Sequence, residues 1–256
     1  NGLREVWYIT STDNGKSWSA PVNITSQVHR PNQPQINPEY HYKEDWRSYA
    51  NTPGHAMQFE TGKHKGRIFV AANHSEGNPQ KNFTDYFAHG FYTDDHGKTF
   101  HLSKTVPIPG GNESTAAELS GGRLMMNSRN QQGNIRARIV SISNDGGATW
   151  NASYFDKKLI DPVNEGSILN IGTRKGKNII AFSNAASTKR RDSLTLRISF
   201  DDGKTWSKNI LVDKSPDGKG DFTAYSDLVK LNKNTIGVLY ERNNYSEIVF
   251  TAVKWR

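Results

Sequence analysis

The chain is patterned in short alternating runs rather than in helical stripes. In Thr195-Leu196-Arg197-Ile198, polar and apolar side chains alternate, as a strand with two different faces requires. Comparable runs at 5–10, 55–59, 67–74, 89–93, 113–119, 123–129, 137–142, 166–170, 178–184, 225–231, 235–241 and 247–255 are predicted to be strands. No long amphipathic helix is predicted. Four runs lead into one eight-residue pattern, Ser/Thr-x-Asp-x-Gly-x-Thr/Ser-aromatic: 11–18 (STDNGKSW), 93–100 (TDDHGKTF), 143–150 (SNDGGATW) and 199–206 (SFDDGKTW). Each reads as a hairpin turn. Its Asp (Asp13, Asp95, Asp145, Asp201) accepts backbone N–H groups across the turn. Its Gly supplies the permissive backbone, and its aromatic is expected to enter the core. The repeated carboxylates are therefore structural and poor candidates for catalysis.

The turns recur at blade-like spacing, with about four strands to a unit, which predicts an all-β propeller spanning residues 1–256 as one domain. The last unit has three predicted strands, so the ring is expected to be incomplete in this chain and to lack an N-terminal segment. Superposing the second strands of the units aligns Asn73, Arg129, Asn184 and Glu241. Superposing the first strands aligns Glu113-Ser114, Gly166-Ser167 and Tyr225-Ser226. First strands line a propeller channel, so Glu113, Arg129 and Tyr225 should converge on the axis, away from the turn motifs. The polar stretch 26–53, rich in Pro and aromatics, is expected to be a long functional or mobile loop. The spacing of His29, His41 and His55 is too irregular for a metal site.

Composition narrows the function classes. Against 25 Asp and Glu stand 33 Lys and Arg, a formal charge of +8. No arginine-rich run interleaved with aromatics points to nucleic acid, so an anionic substrate is the better use of that charge. There is no cysteine, hence neither a disulfide framework nor a thiolate metal site, and no apolar run is long enough to span a membrane. No cofactor is implied.

With the residues that follow, the chain resembles the sialidases, exo-α-neuraminidases of the bacterial Asp-box type, and specifically the C-terminal part of their catalytic domain. The turn motifs are Asp boxes. The stretch 112–130 (NESTAAELSGGRLMMNSRN) resembles the segment that bears a catalytic Glu and the second arginine of the carboxylate-binding triad. Arg191, in RRDSLT, matches the third triad arginine, and Tyr225, in AYSDL, matches the nucleophilic tyrosine. The resemblance implies a six-bladed propeller and a secreted or periplasmic retaining exo-sialidase. Such an enzyme removes terminal sialic acids from glycans or glycoproteins through a tyrosyl intermediate. Sialic acid carries a carboxylate on its anomeric carbon, so a neutral phenol attacks it better than a second carboxylate would. Glu113 would be the base for Tyr225, while Arg129 and Arg191 would hold the carboxylate and favour phenolate. Glu118 rivals Glu113, and Arg190 rivals Arg191.

The family's first triad arginine and its acid/base Asp have no counterpart before Ser11, because Arg4 lies on the strand entering the first box. A complementary N-terminal segment or chain is expected to supply both, and the isolated chain is expected to be inactive. The alternatives are a non-catalytic sialoglycan-binding propeller, and a trans-sialidase or an enzyme preferring deaminated sialic acid.

Overall fold

The computed structural model describes residues 4–30, 46, 48–51 and 53–256. Its strands form five antiparallel sheets, each wound in chain order. The first holds β1 (Trp7–Tyr8) and β2 (Val22–Asn23), and one helical turn, α1 (Thr25–Val28), follows it. In the second, β3 (Tyr49–Asn51) and β4 (Met57–Gln58) both pair with β5 (Ile68–Ser75), which continues to β6 (Tyr86–Thr93) and β7 (His101–Leu102). The third runs β8 (Gly111–Leu119), β9 (Arg123–Asn130), β10 (Ala137–Ser143), β11 (Ala152–Ile160). The fourth runs β12 (Gly166–Arg174), β13 (Lys177–Ala185), β14 (Leu194–Ser199), β15 (Lys208–Asp213). The fifth runs β16 (Thr223–Asn232), β17 (Thr235–Arg242), β18 (Glu247–Lys254). β5 packs against β8, β8 against β12, and β12 against β16. The architecture is the all-β propeller arrangement expected from the boxes, incomplete in this chain.

Four apolar cores lie between successive sheets, and the second strand of a blade serves two of them. On β9, Leu124 and Met126 enter the core shared with the second sheet, whereas Met125 enters the core shared with the fourth. On β13, Ile180 and Phe182 face the third sheet, while Ile179 and Ala181 face the fifth. A strand buried on both faces reads as a continuous apolar run, and so Leu-Met-Met and Ile-Ile-Ala-Phe depart from alternation.

The boxes form the turns between β1 and β2, β6 and β7, β10 and β11, and β14 and β15. Asp145 accepts from Thr149 N at 2.9 Å, Thr149 Oγ1 at 2.6 Å and Ser143 Oγ at 2.7 Å, and Asp201 repeats the pattern with Thr205 and Ser199. Gly147 has φ +94°, and a Cβ there would come within 2.5 Å of Phe69, so this turn also lies tight against the preceding sheet. Arg67 joins the same sheets by donating to Asp94 and to the carbonyls of Asp145 and Gly146.

Three expectations change. The inner strand predicted at 55–59 is shortened to β4 at 57–58, and β3, from the preceding stretch, pairs with β5 beside it. The stretch 26–53 holds most of α1, and β3 as well, because Val28, Trp46 and Tyr49 bury apolar side chains against Ala72 and Phe91. Residues 31–45, 47 and 52 of that stretch, His41 included, lie outside the described residues. Trp18 does not enter a core: it is 58% exposed, since its box sits on the short β1–β2 pair and not between two full sheets.

Candidate active site

Two inner strands begin with the same irregularity. Pairing of β8 with β9 shifts register between Gly111 and Ser114, and pairing of β16 with β17 shifts between Thr223 and Ser226. A bulge re-aims the side chains it carries. Glu113 lies in the first and Tyr225 in the second, and the Tyr225 hydroxyl donates to Glu113 Oε1 at 2.5 Å. Arg129, near the end of β9 and opposite the first bulge, sends Nη1 to Glu113 Oε2 at 2.7 Å and to the Tyr225 hydroxyl at 2.9 Å. Arg191, on the β13–β14 connection, reaches Tyr225 from another side, with its guanidinium carbon 5.4 Å from the ring centroid. The structure thus brings together all four residues singled out in the sequence.

The rivals stand elsewhere. Glu118 is 3% exposed and accepts from the backbone N–H groups of Glu60 and Thr61, a buried clamp on the β4–β5 connection. Arg190 is tied to Asp192 at 2.7 Å. Among the described residues, no group of three His, Asp or Glu side chains is placed to hold a metal ion.

Burial, then the Glu113 carboxylate as hydrogen-bond partner and as charge, push the Tyr225 phenol above its ordinary value, while Arg129 and Arg191 pull it down. The arginines do favour phenolate, as expected, but desolvation and the adjacent carboxylate outweigh them. The resting pair is therefore a phenol hydrogen-bonded to a carboxylate acceptor. Such a pair can pass the proton as a bond to the phenol oxygen forms.

Other residues at the site gave no signal in the sequence. Glu165, on the loop before β12, is 2% exposed and accepts the Ser226 N–H at 3.0 Å. Burial pushes its carboxyl well above the usual carboxylate range; Glu113 and Asp227 add to this, and the Ser226 bond and Arg138 oppose it. Glu165, Tyr225, Asp227 and Glu241 line one cavity of about 140 Å³, and Glu113 with Asn112, Arg4, Asn73 and Tyr86 lines another of about 380 Å³. Arg4, set aside in the sequence as a strand residue, thus lines the same cavity as Glu113 and donates to the Tyr49 carbonyl at 3.1 Å.

Residues 2–239 match the family model described as a BNR repeat-like domain. The chain belongs to that family. It is a sialidase-type member: it is 33% identical over 241 residues to a sialidase of Micromonospora viridifaciens, with 91% of this chain and 33% of the relative covered. A sialidase of Bacteroides fragilis is 31% identical over 250 residues, with 95% of this chain and 40% of the relative covered. A solved Hadza microbial sialidase superposes with a TM-score of 0.77 at 28% identity, over 98% of this chain and 44% of that structure. The chain thus spans between a third and about half of the length of these relatives. Among the described residues, no helix of this sialidase-type domain is long and apolar enough to cross a membrane.

Proposed function

We propose that this domain carries the nucleophile, the base and two carboxylate-binding arginines of a retaining exo-α-sialidase acting on sialylated glycans. The hydrogen bond from Tyr225 to Glu113 under the Arg129 guanidinium carries the reading. Arg129 and Arg191 would bind the substrate carboxylate by charge-assisted bonds and set the anomeric carbon over the phenol. Tyr225 Oη would attack that carbon as its proton passes to Glu113, and the bond to the leaving oxygen would break. In the second step water attacks the same carbon and gives up a proton to the conjugate base of the acid that protonated the leaving oxygen, the tyrosyl bond breaks, and the proton on Glu113 returns to the phenol oxygen.

The leaving oxygen needs a proton of its own. Among the described residues, Glu113 is the one carboxylate hydrogen-bonded to the Tyr225 hydroxyl or to the Arg129 side chain; Glu241 accepts the Tyr225 backbone N–H. The reading therefore assigns the acid, together with a further arginine, to residues outside the described ones.

The test is to incubate the full-length protein with a fluorogenic sialoside, and separately with a fluorinated sialosyl fluoride that slows the second step. Release of the fluorophore and a sialyl adduct mapped to the peptide bearing Tyr225 are the expected results. Binding of sialosides without turnover or adduct would overturn the enzymatic reading in favour of a glycan-binding propeller. A transfer product in place of free sialic acid would make the protein a trans-sialidase on the same core.

A further inference from the structure

Arg191 is held at its main chain and at its guanidinium by two residues that the proposed chemistry does not use. Its backbone N–H donates to Asp221 Oδ1 at 3.1 Å, and Nη1 donates to the Tyr245 hydroxyl at 3.2 Å. The Tyr245 hydroxyl donates to Asp221 Oδ2 at 2.7 Å, which closes a loop of hydrogen bonds through one phenol. The guanidinium carbon lies 5.4 Å from the Tyr225 ring centroid and 6.0 Å from that of Tyr245, so both tyrosine rings flank the arginine.

The turn that carries Tyr245 is built at some cost. Asn243, Asn244 and Tyr245, between β17 and β18, have φ of +54°, +51° and +67°, and consecutive non-glycine residues rarely share this left-handed region. The turn is stitched to the segment before β16. Asn244 N donates to Asp221 O at 2.8 Å, Asp221 N donates to Asn244 Oδ1 at 3.0 Å, and Asn243 N donates to Phe222 O at 2.9 Å. The strained turn and Asp221 therefore form one unit, and the side chain that unit presents to Arg191 is a phenol.

We infer that Tyr245 is a positioning residue for carboxylate recognition: its hydroxyl, oriented by Asp221, holds the Arg191 guanidinium beside Tyr225 in the pose that receives the substrate carboxylate. This deepens the sialidase reading and rests on it. A long arginine side chain left free would lose its rotamer freedom on binding; one already held loses less. The phenol also stands between Arg191 and Asp221. Without the hydroxyl, the Asp221 carboxylate becomes a direct competitor of the substrate for the guanidinium. Burial and the Asp221 bond raise the Tyr245 phenol above its ordinary value, so it remains the donor across the neutral range.

Tyr245→Phe keeps the ring and deletes the hydroxyl. In the full-length protein, its affinity for sialic acid and for the C1 methyl ester of sialic acid is compared with that of the wild type by calorimetry. The expected result is a loss of about ten- to 150-fold for the acid, the span of one hydrogen bond to a charged group, against about twofold or less for the ester. KM should rise in parallel with kcat little changed. Asp221→Asn, which leaves Tyr245 in place but strips its charged acceptor, should show the same selective loss for the acid and serves if Tyr245→Phe does not fold. Equal losses for acid and ester would reduce Tyr245 to a structural role and overturn the inference, as would unchanged affinity for the acid. A wild-type protein that binds neither compound overturns the sialidase reading itself, and this inference with it.

Discussion

Glu113 and Tyr225 are 112 residues apart in the chain and 2.5 Å apart in the fold. Each sits in a register shift at the start of an inner strand, and Arg129 bonds to both. The two bulges do the same work in different blades, turning a polar side chain out of the ladder toward its counterpart.

Tyr225→Phe should lower kcat by about two to four orders of magnitude, the usual span for removing a reacting group, while sialic acid affinity changes little. Steady-state kinetics and equilibrium binding on the full-length protein separate the two effects. Lost affinity at constant kcat would make Tyr225 a binding residue instead.

Glu165→Gln should stabilise the protein, increasingly so as pH rises. In the folded state this carboxyl is held protonated by burial, whereas in the unfolded chain it ionises above about 4.3. Between those values the folded state binds the extra proton, so wild-type stability falls with rising pH by up to about 1.4 kcal/mol per unit. Glutamine can still accept the Ser226 N–H and has no proton to lose. Denaturant midpoints of both proteins from pH 5 to 8 should therefore diverge; parallel curves would show that Glu165 ionises freely.

The histidines behind β5 and β6 act in the opposite direction. His74 and His89 are fully buried and share a 2.8 Å contact between their Nδ1 atoms, and Trp46 stacks on His74 at 3.7 Å. Burial first, then neighbouring positive groups, hold both well below the ordinary histidine range, and the same forces bring His29 to about 4. As pH falls below about 6.5 the unfolded chain takes up protons that the buried rings refuse, and stability is lost. His89→Gln removes one such ring. The stability advantage of wild type over this variant should therefore shrink between pH 6.5 and 5, by up to about 2 kcal/mol. A difference independent of pH would show that His89 does not contribute to acid sensitivity.

Asp145→Ala should destabilise by roughly 1–2 kcal/mol, a value reduced for the exposure of Thr149, because the box loses its acceptor. The kcat of the remaining folded protein should stay within about twofold, since the box lies on the turn between β10 and β11, away from Tyr225. Unchanged melting with impaired turnover would contradict the structural role of the motif.

Local chemistry was enough to read the strands and turns. An Asp, a Gly and a flanking aromatic act on the residues beside them, so each box is legible wherever it stands, and alternation is a property of one strand at a time. Spacing of the boxes implied the blades, and blade superposition paired Glu113 with Tyr225. Burial at Trp18 was not legible, because exposure depends on whether a neighbouring sheet covers the ring. The presence of β3 beside β4 likewise depends on pairing with β5, across the chain. Glu165 reads as an ordinary polar loop residue until the Ser226 N–H and the buried wall around it are in place. Tyr245 gains its position from a hydrogen bond to Asp221, 24 residues earlier, and a contact with Arg191, 54 residues earlier. Desolvation and long-range contact belong to the assembled fold. For that reason the sequence by itself determined the architecture and named four residues that the fold brings together, while only the tertiary structure decided the protonation of Tyr225 and the groups that hold all four.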